Sequence, residues 1–365
     1  MARRLRKNVW SRSLQRTLSS LTRSVLRAGS TAMQQSLRSA APSRQATVAR
    51  RPSPPSDNWS SGIAIGTTGP RRYRLYKPPG VRRDERLPLL VMLHGCRQDG
   101  AGLAASSRMN LIAARKRFFV LYPEQDRLAN VQACWNWYET RSGRAQAEAK
   151  SIDAAIEKIC LTQAVDRERI AVAGISAGAG MAALLATLHP ARFQAVAMHS
   201  GIAPGVAHSS TGAIKAMLGK KGSRSPLPAI TPASRLPALL VIHGTADPVV
   251  ALANGAEAAL RWGERAGATA GRPRVVQRGK RYAATITDYR HHGQLIATLC
   301  EVSRLGHAWS GGAAGQAYSD PGGPDASRMI WAFAARQFLE IPGPAGKPEV
   351  PAKALRDRPL AQPEK

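Results

Sequence analysis

The stretch Arg169–Pro190, RIAVAGISAGAGMAALLATLHP, decides how the chain is read. Ile170 to Ala173 is a short apolar run of the kind that forms a buried strand. Gly174-Ile175-Ser176-Ala177-Gly178 follows at once, and a run rich in Ala, Leu and Met then continues at helical spacing until Pro190 stops it. A bare G-x-S-x-G is a weak signal in a chain with 32 glycines. Between a strand and a helix it predicts a sharp, strained turn that lifts a serine hydroxyl to the C-terminal edge of a sheet. The glycines belong there because a Cβ would crowd the neighbouring strand and helix. The free N–H groups and positive dipole end of the helix lie beside the serine.

A serine hydroxyl is a poor nucleophile at neutral pH unless a base takes its proton and an acid orients that base. On open α/β sheets of this kind the chain order is Ser, then Asp or Glu, then His. Leu236 to Ile242, LPALLVI, predicts a strand that runs into His243-Gly244-Thr245-Ala246-Asp247-Pro248. Asp247 therefore falls in a loop just past a buried strand, where functional groups of such sheets gather. Glu257 and Glu264 lie on a predicted helix, 251–266, while Asp320 and Asp325 lie in a Pro/Gly-rich loop. For the base, His307 follows a predicted strand, 299–305, and is flanked by glycines in Gly306-His307-Ala308-Trp309-Ser310-Gly311-Gly312. His291 and His292 read as a solvated turn, and His243 as a packed strand end. The expected nucleophile, acid and base are Ser176, Asp247 and His307.

Acyl transfer also needs donors for the developing oxyanion. One is the Ala177 N–H, next after the serine. The other is the Cys96 N–H, because Leu87 to Leu93 (LPLLVML) predicts an apolar strand and His94-Gly95-Cys96 follows it directly. Trp135, Trp137 and Trp309 are the candidate substrate contacts; Trp309 is two residues from the expected base, and aromatic faces suit an apolar polyester or an aromatic acyl group.

These segments together resemble the poly(3-hydroxybutyrate) depolymerase-type esterases of the α/β-hydrolase superfamily, with feruloyl and acetylxylan esterases as relatives. The resemblance is carried by LHGCRQD (93–99), FFVLYPEQD (118–126), CWNWYE (134–139), VDRERIAVAGISAGAGMA (165–182), IHGTADPVV (242–250), LGHAWSGG (305–312) and SDPGGPDAS (319–327). It covers about residues 60–340 and implies an α/β-hydrolase fold, a mostly parallel central sheet with helices on both faces. It implies the same three catalytic residues, Ser176, Asp247 and His307, with Cys96 and Ala177 as the oxyanion hole. It also adds a substrate class, a short-chain hydroxyalkanoate polyester or its oligomers; the relatives supply a feruloyl, acetylxylan or general short-chain ester as the alternative. Relatives suggest that Cys96 and Cys134 can be bridged, whereas a cytosolic setting would keep the pair reduced. No metal or cofactor is expected, since the four cysteines form no C-x-x-C or zinc-like spacing.

The alternation of strands and helices agrees with a parallel sheet covered on both faces, in one catalytic domain over 57–341. Residues 204–237 interrupt that alternation and read either as a partial cap or as a surface insertion. A Pro-rich tail, 342–365, is expected to be disordered. The formal net charge is +30, from 53 Lys and Arg against 23 Asp and Glu, and residues 1–56 contain no acid at all. Leu5, Val9, Leu14, Leu18, Leu21 and Val25 fall near helical spacing with Arg12, Arg16, Arg23 and Arg27 between them, the pattern of a basic amphipathic helix before a Pro/Ser/Arg linker. Arginines interrupt any continuous apolar region, so the segment is a poor secretory signal. It is expected to be retained and to adsorb to a polyester granule or an anionic membrane surface, against a merely sticky tail. That reading favours a cytoplasmic or granule- or membrane-associated enzyme, while the resemblance keeps an extracellular one open. Specific nucleic-acid binding is not expected: no such motif is present, and a basic polyanion-binding protein is the non-enzyme alternative.

Deleting residues 1–56 is expected to leave turnover of a small soluble ester unchanged and to weaken binding to anionic vesicles or polyester granules, most clearly at low salt. Vesicle co-sedimentation of the full and shortened chains checks this, and equal binding overturns it.

Overall fold

The computed structural model describes residues 58–82, 84–220 and 236–340. The expectations for 1–56 and 342–365, and residues 221–235 of the insertion, lie outside the described residues. Eleven strands form one sheet: β1 (Trp59–Gly66), β2 (Gly69–Tyr76), β3 (Leu87–Leu93), β4 (Phe119–Pro123), β5 (Val165–Ile175), β6 (Ala195–His199), β7 (Ala238–Gly244), β8 (Thr269–Ala270), β9 (Arg274–Val276), β10 (Ala284–His291) and β11 (Gln294–Val302). The order is β1-β2-β4-β3-β5-β6-β7-β11-β10-β8, with β9 also on β10. The six central strands from β4 to β11 are parallel, and antiparallel pairs finish both edges.

The helices are α1 (Gly100–Ser107), α2 (Met109–Lys116), α3 (Arg144–Thr162), α4 (Ala177–Leu188), α5 (Ser210–Met217), α6 (Ala253–Arg265) and α7 (Ala326–Leu339). Their sides of the sheet follow from strand pleating, which sends successive side chains to opposite faces. Leu89, Val91 and Leu93 of β3 enter one core with Phe119, Leu121, Val172, Val196, Met198, Leu239 and Val241. Buried residues of α3, α4, α5 and α6 complete that core. Leu90 and Met92 enter the other, with Val120, Tyr122, Ala171, Ala173, Leu240 and Ile242, under α1, α2 and α7. A strand buried on both faces has no polar alternation, which is why β3 and β4 read as apolar throughout and β6 and β7 as apolar runs up to a histidine at or beside the strand end.

Two expected boundaries move. The strand predicted over 299–305 is Gln294–Val302, the return arm of a hairpin with β10. His292 and Gly293, both at positive φ (46° and 78°), make its turn. The loop after β11 is thereby free to carry His307. The helix predicted over 251–266 is α6.

Cys96, just past β3, is bonded to Cys134, 38 residues on. Closing a loop of that length restricts the unfolded chain by about 4 kcal/mol in the chain-entropy treatment. Cys134→Ser is therefore expected to lower unfolding stability by about 2–4 kcal/mol, read from urea midpoints under non-reducing conditions. A midpoint equal to that of the parent protein would contradict the assignment.

Candidate active site

β5 ends at Ile175 and α4 begins at Ala177, so Ser176 alone makes the change of direction. Its backbone sits at φ 57°, ψ −122°, a conformation costing of order 1–3 kcal/mol that only surrounding contacts maintain. Those contacts are close. A Cβ on Gly174 would lie 2.3 Å from the Gly178 carbonyl oxygen, and one on Gly178 would lie 2.2 Å from the Leu93 carbonyl oxygen. No side chain fits at either position, so the first turn of α4 rests directly on the end of β3. The Ser176 N–H donates to the His199 carbonyl at 2.9 Å, and Ser176 Cβ faces Gly95 across the turn.

The expected acid and base are brought together. His307 Nδ1 donates to Asp247 Oδ2 at 2.8 Å. Asp247 Oδ1 accepts the Val249 and Val250 N–H groups at 2.9 and 2.8 Å, which fixes the carboxylate. Burial alone pushes this carboxyl up, but the hydrogen bond and charge of His307 and the two amides outweigh it, so it stays ionised below the usual carboxylate range. The two loops are also joined through backbone: the Ala246 N–H donates to the Leu305 carbonyl at 3.1 Å. Among the described residues no hydrogen bond joins Ser176 Oγ to His307, a contact that in ligand-free sites often tightens only with substrate.

The Cys96 and Ala177 N–H groups have no hydrogen-bond acceptor among the described residues. The loop holding Cys96 is braced from below: Trp135 Nε1 donates to the His94 carbonyl at 3.0 Å, and the Arg97 N–H donates to the Gln132 carbonyl at 2.7 Å. Behind Trp135 lies a buried polar network that the sequence reading missed. Glu148 accepts from Gln125 Nε2 (2.8 Å), the Asn136 N–H (2.9 Å) and Asn136 Nδ2 (2.5 Å). Arg71 donates to Gln125 Oε1 at 2.8 Å and Ser151 Oγ at 3.0 Å, with its guanidinium 5.1 Å from the Trp135 ring centroid. Gln125 and Asn136 lie within quoted motif segments; Arg71 and Glu148 sit in ordinary strand and helix patterns and give no local signal.

Two of the three tryptophans, Trp135 and Trp309, are corrected. Trp135 and Trp309 are fully buried and Trp137 nearly so. Trp309 Nε1 donates inward to Ser327 Oγ at 3.1 Å, and Trp137 packs over Gly180 of α4. Closeness in sequence to a functional residue does not give exposure in a loop whose alternate side chains turn into the core. Trp135 and Trp309 support the site from beneath, with no face open to an ester.

With this geometry in place, the model of the family described as esterase PHB depolymerase matches residues 71–273, more than half of the chain. The chain belongs to that family. Among its relatives is poly(3-hydroxyalkanoate) depolymerase C from Paucimonas lemoignei, 30% identical over 204 residues, 51% of this chain and 47% of that protein. Feruloyl esterase B from Neurospora crassa is 26% identical over 148 residues, 40% of this chain and 47% of that protein. The chain spans about half the length of the curated relatives it matches. Acetyl xylan esterase from Aspergillus awamori superposes with a TM-score of 0.55 at 18% identity, over 68% of this chain and 93% of that one, and shows the α/β-hydrolase fold.

Three buried imidazoles near the site, His94, His199 and His243, are all held below the ordinary histidine range, each chiefly by burial. Their native form is neutral, whereas in the unfolded chain each gains a proton below about pH 6.5. Stability should thus be full above that pH and fall as pH drops, by up to about 1.4 kcal/mol per pH unit for each group. The Asp247 carboxylate adds to this only below the ordinary carboxylate range. Urea midpoints taken between about pH 7 and about pH 5 should fall steadily, and a flat profile would contradict the neutral assignments.

Proposed function

We propose that this chain is a serine carboxylesterase that cleaves ester bonds by acyl transfer. The observation that carries the reading is the His307–Asp247 hydrogen bond, made by loops that follow β11 and β7, at the sheet edge where β5 delivers Ser176. His307 Nδ1 points at the carboxylate, so Nε2 is the nitrogen left to take the Ser176 proton as the hydroxyl attacks the ester carbonyl. Asp247 holds that tautomer and stabilises the imidazolium that forms. The unengaged Cys96 and Ala177 N–H groups receive the oxyanion, each worth about 3 kcal/mol when well placed. His307 returns the proton to the leaving alcohol, then activates the water that releases the acid.

The substrate reading is a short-chain hydroxyalkanoate polyester or its oligomers. Family membership and the match to a poly(3-hydroxyalkanoate) depolymerase support it. The match to a feruloyl esterase supports a second reading, an aromatic or simple short-chain ester. Adsorption to a granule or anionic membrane through residues 1–56 belongs to the first.

Ser176→Ala and His307→Ala are each expected to lower kcat by roughly 10⁵-fold, since members of such a unit fail together. A fluorophosphonate should label the parent protein once, at Ser176, and leave Ser176→Ala unlabelled. Unlabelled protein whose core without residues 1–56 still binds nucleic acid tightly, sequence-selectively and with little dependence on salt would favour the non-enzyme alternative, since non-specific polyanion binding through the basic segment falls steeply with salt. Release from hydroxybutyrate oligomers, methyl ferulate and a short p-nitrophenyl ester, measured side by side, separates the substrate readings. Fastest turnover of methyl ferulate would overturn the polyester assignment.

A further inference from the structure

His199, the last residue of β6, is joined to the proposed nucleophile and to the loop that carries the proposed base. Its main-chain carbonyl accepts the Ser176 N–H at 2.9 Å, from the residue whose backbone is strained. Its side chain reaches the other way: Nε2 accepts the Ser310 N–H at 3.1 Å, three residues beyond His307. The ring also lies flat against Trp309, with centroids 5.1 Å apart and planes 19° from parallel. Because Nε2 accepts, the ring proton sits on Nδ1, which donates to Ser200 Oγ at 3.1 Å. The side chain is fully buried, so no solvent competes for these bonds.

We propose that His199 is a positioning residue which sets the separation of Ser176 and His307, its main chain holding the nucleophile turn and its ring holding the loop that carries the base. The proposal rests on the esterase reading above. Its physical content is that one rigid residue at a strand end links two loops whose reacting atoms must meet within hydrogen-bond distance. Only the neutral ring can do this, because an imidazolium would set an N–H against the Ser310 N–H. Burial, together with the neighbouring His243 and His307 and opposed by Asp247, holds the imidazole down at about 3. The ring thus remains an acceptor at any pH at which the triad works. His199 touches no reacting atom, and its effect passes entirely through the two loops.

Three replacements separate positioning from bulk packing. His199→Gln can place its side-chain oxygen near the Nε2 position and keep the acceptor. His199→Asn is too short to reach Ser310. His199→Phe keeps the stack on Trp309 and removes the acceptor. With a short p-nitrophenyl ester, Phe and Asn are expected to lower kcat about 10- to 100-fold with KM nearly unchanged, the cost of misplacing reacting groups by about 1 Å. Gln is expected to recover most of that loss. The low-field proton resonance of the His307–Asp247 bond should weaken or shift in Phe and Asn and return in Gln. If Phe does not fold, the Gln and Asn pair carries the same comparison.

The proposal is overturned if Phe or Asn keeps the parent kcat. It is equally overturned if all three variants lose activity in step with thermal stability while the resonance is unchanged. Failure of the esterase reading is distinguishable, because the parent protein would then neither hydrolyse esters nor react with the fluorophosphonate.

Discussion

The close approach of Gly178 to the end of β3 is the contact on which the site depends. With the Leu93 carbonyl oxygen only 2.2 Å from where a Cβ would stand, backbone meets backbone between the first turn of α4 and the strand whose continuation carries Cys96. The distance between the serine and the expected oxyanion donors is therefore set by main-chain packing. Side chains can drift among rotamers, whereas a helix seated on a strand end moves only if the sheet does. The positive φ of Ser176 persists for the same reason: relaxing it would lift α4 off a core that buries eleven of its twelve residues.

Below this layer the site has a buried polar support on each side of the sheet. On one side, Trp135 belongs to the core under α3 and α4 and connects the His94 carbonyl to Arg71, Gln125, Glu148 and Asn136. On the other, Trp309 belongs to the core under α1 and α7. There it connects the base loop to Ser327, which donates to the Ser107 carbonyl at 2.7 Å. Charges and amides inside a core cost stability unless each finds partners, and fully paired networks stiffen what they touch. Both networks touch loops at the functional edge, so the rigidity they bring is spent where atoms must be aligned.

Much of this was legible in the sequence for identifiable reasons. The central strands are apolar on both faces, and the strand–turn–helix around Ser176 carries a glycine two residues to each side of the serine, so the fold and the nucleophile candidate could be read locally. Asp247 and His307 could be read because each follows an apolar run and stands among turn residues. What could not be read depends on contacts across long separations. His199 looks like the polar end of one more buried strand, and only the meeting of β6 with a loop 111 residues later brings the Ser310 N–H to its Nε2. The orientation of the tryptophans failed for the same reason. The β10–β11 hairpin was missed because β10, Ala284–His291, mixes polar and apolar residues on a partly exposed edge.

The four cysteines bear on how the chain matures under oxidising conditions. Four thiols allow three complete pairings, and exchange among them requires a thiolate that can reach a disulfide sulfur. Once the sheet has formed, Cys300 is buried within β11 with its thiol pushed up to about 12, and Cys160 is buried on α3 with its thiol also raised, both chiefly by burial. Both free thiols are buried away from the Cys96–Cys134 bond, and raising their pKa thins the thiolate that exchange would need. Cys96 and Cys134, on adjoining loops at the sheet edge, are the pair left to react. The fold thus selects its crosslink by withholding the competitors, and an error made before the sheet closes would be trapped along with them.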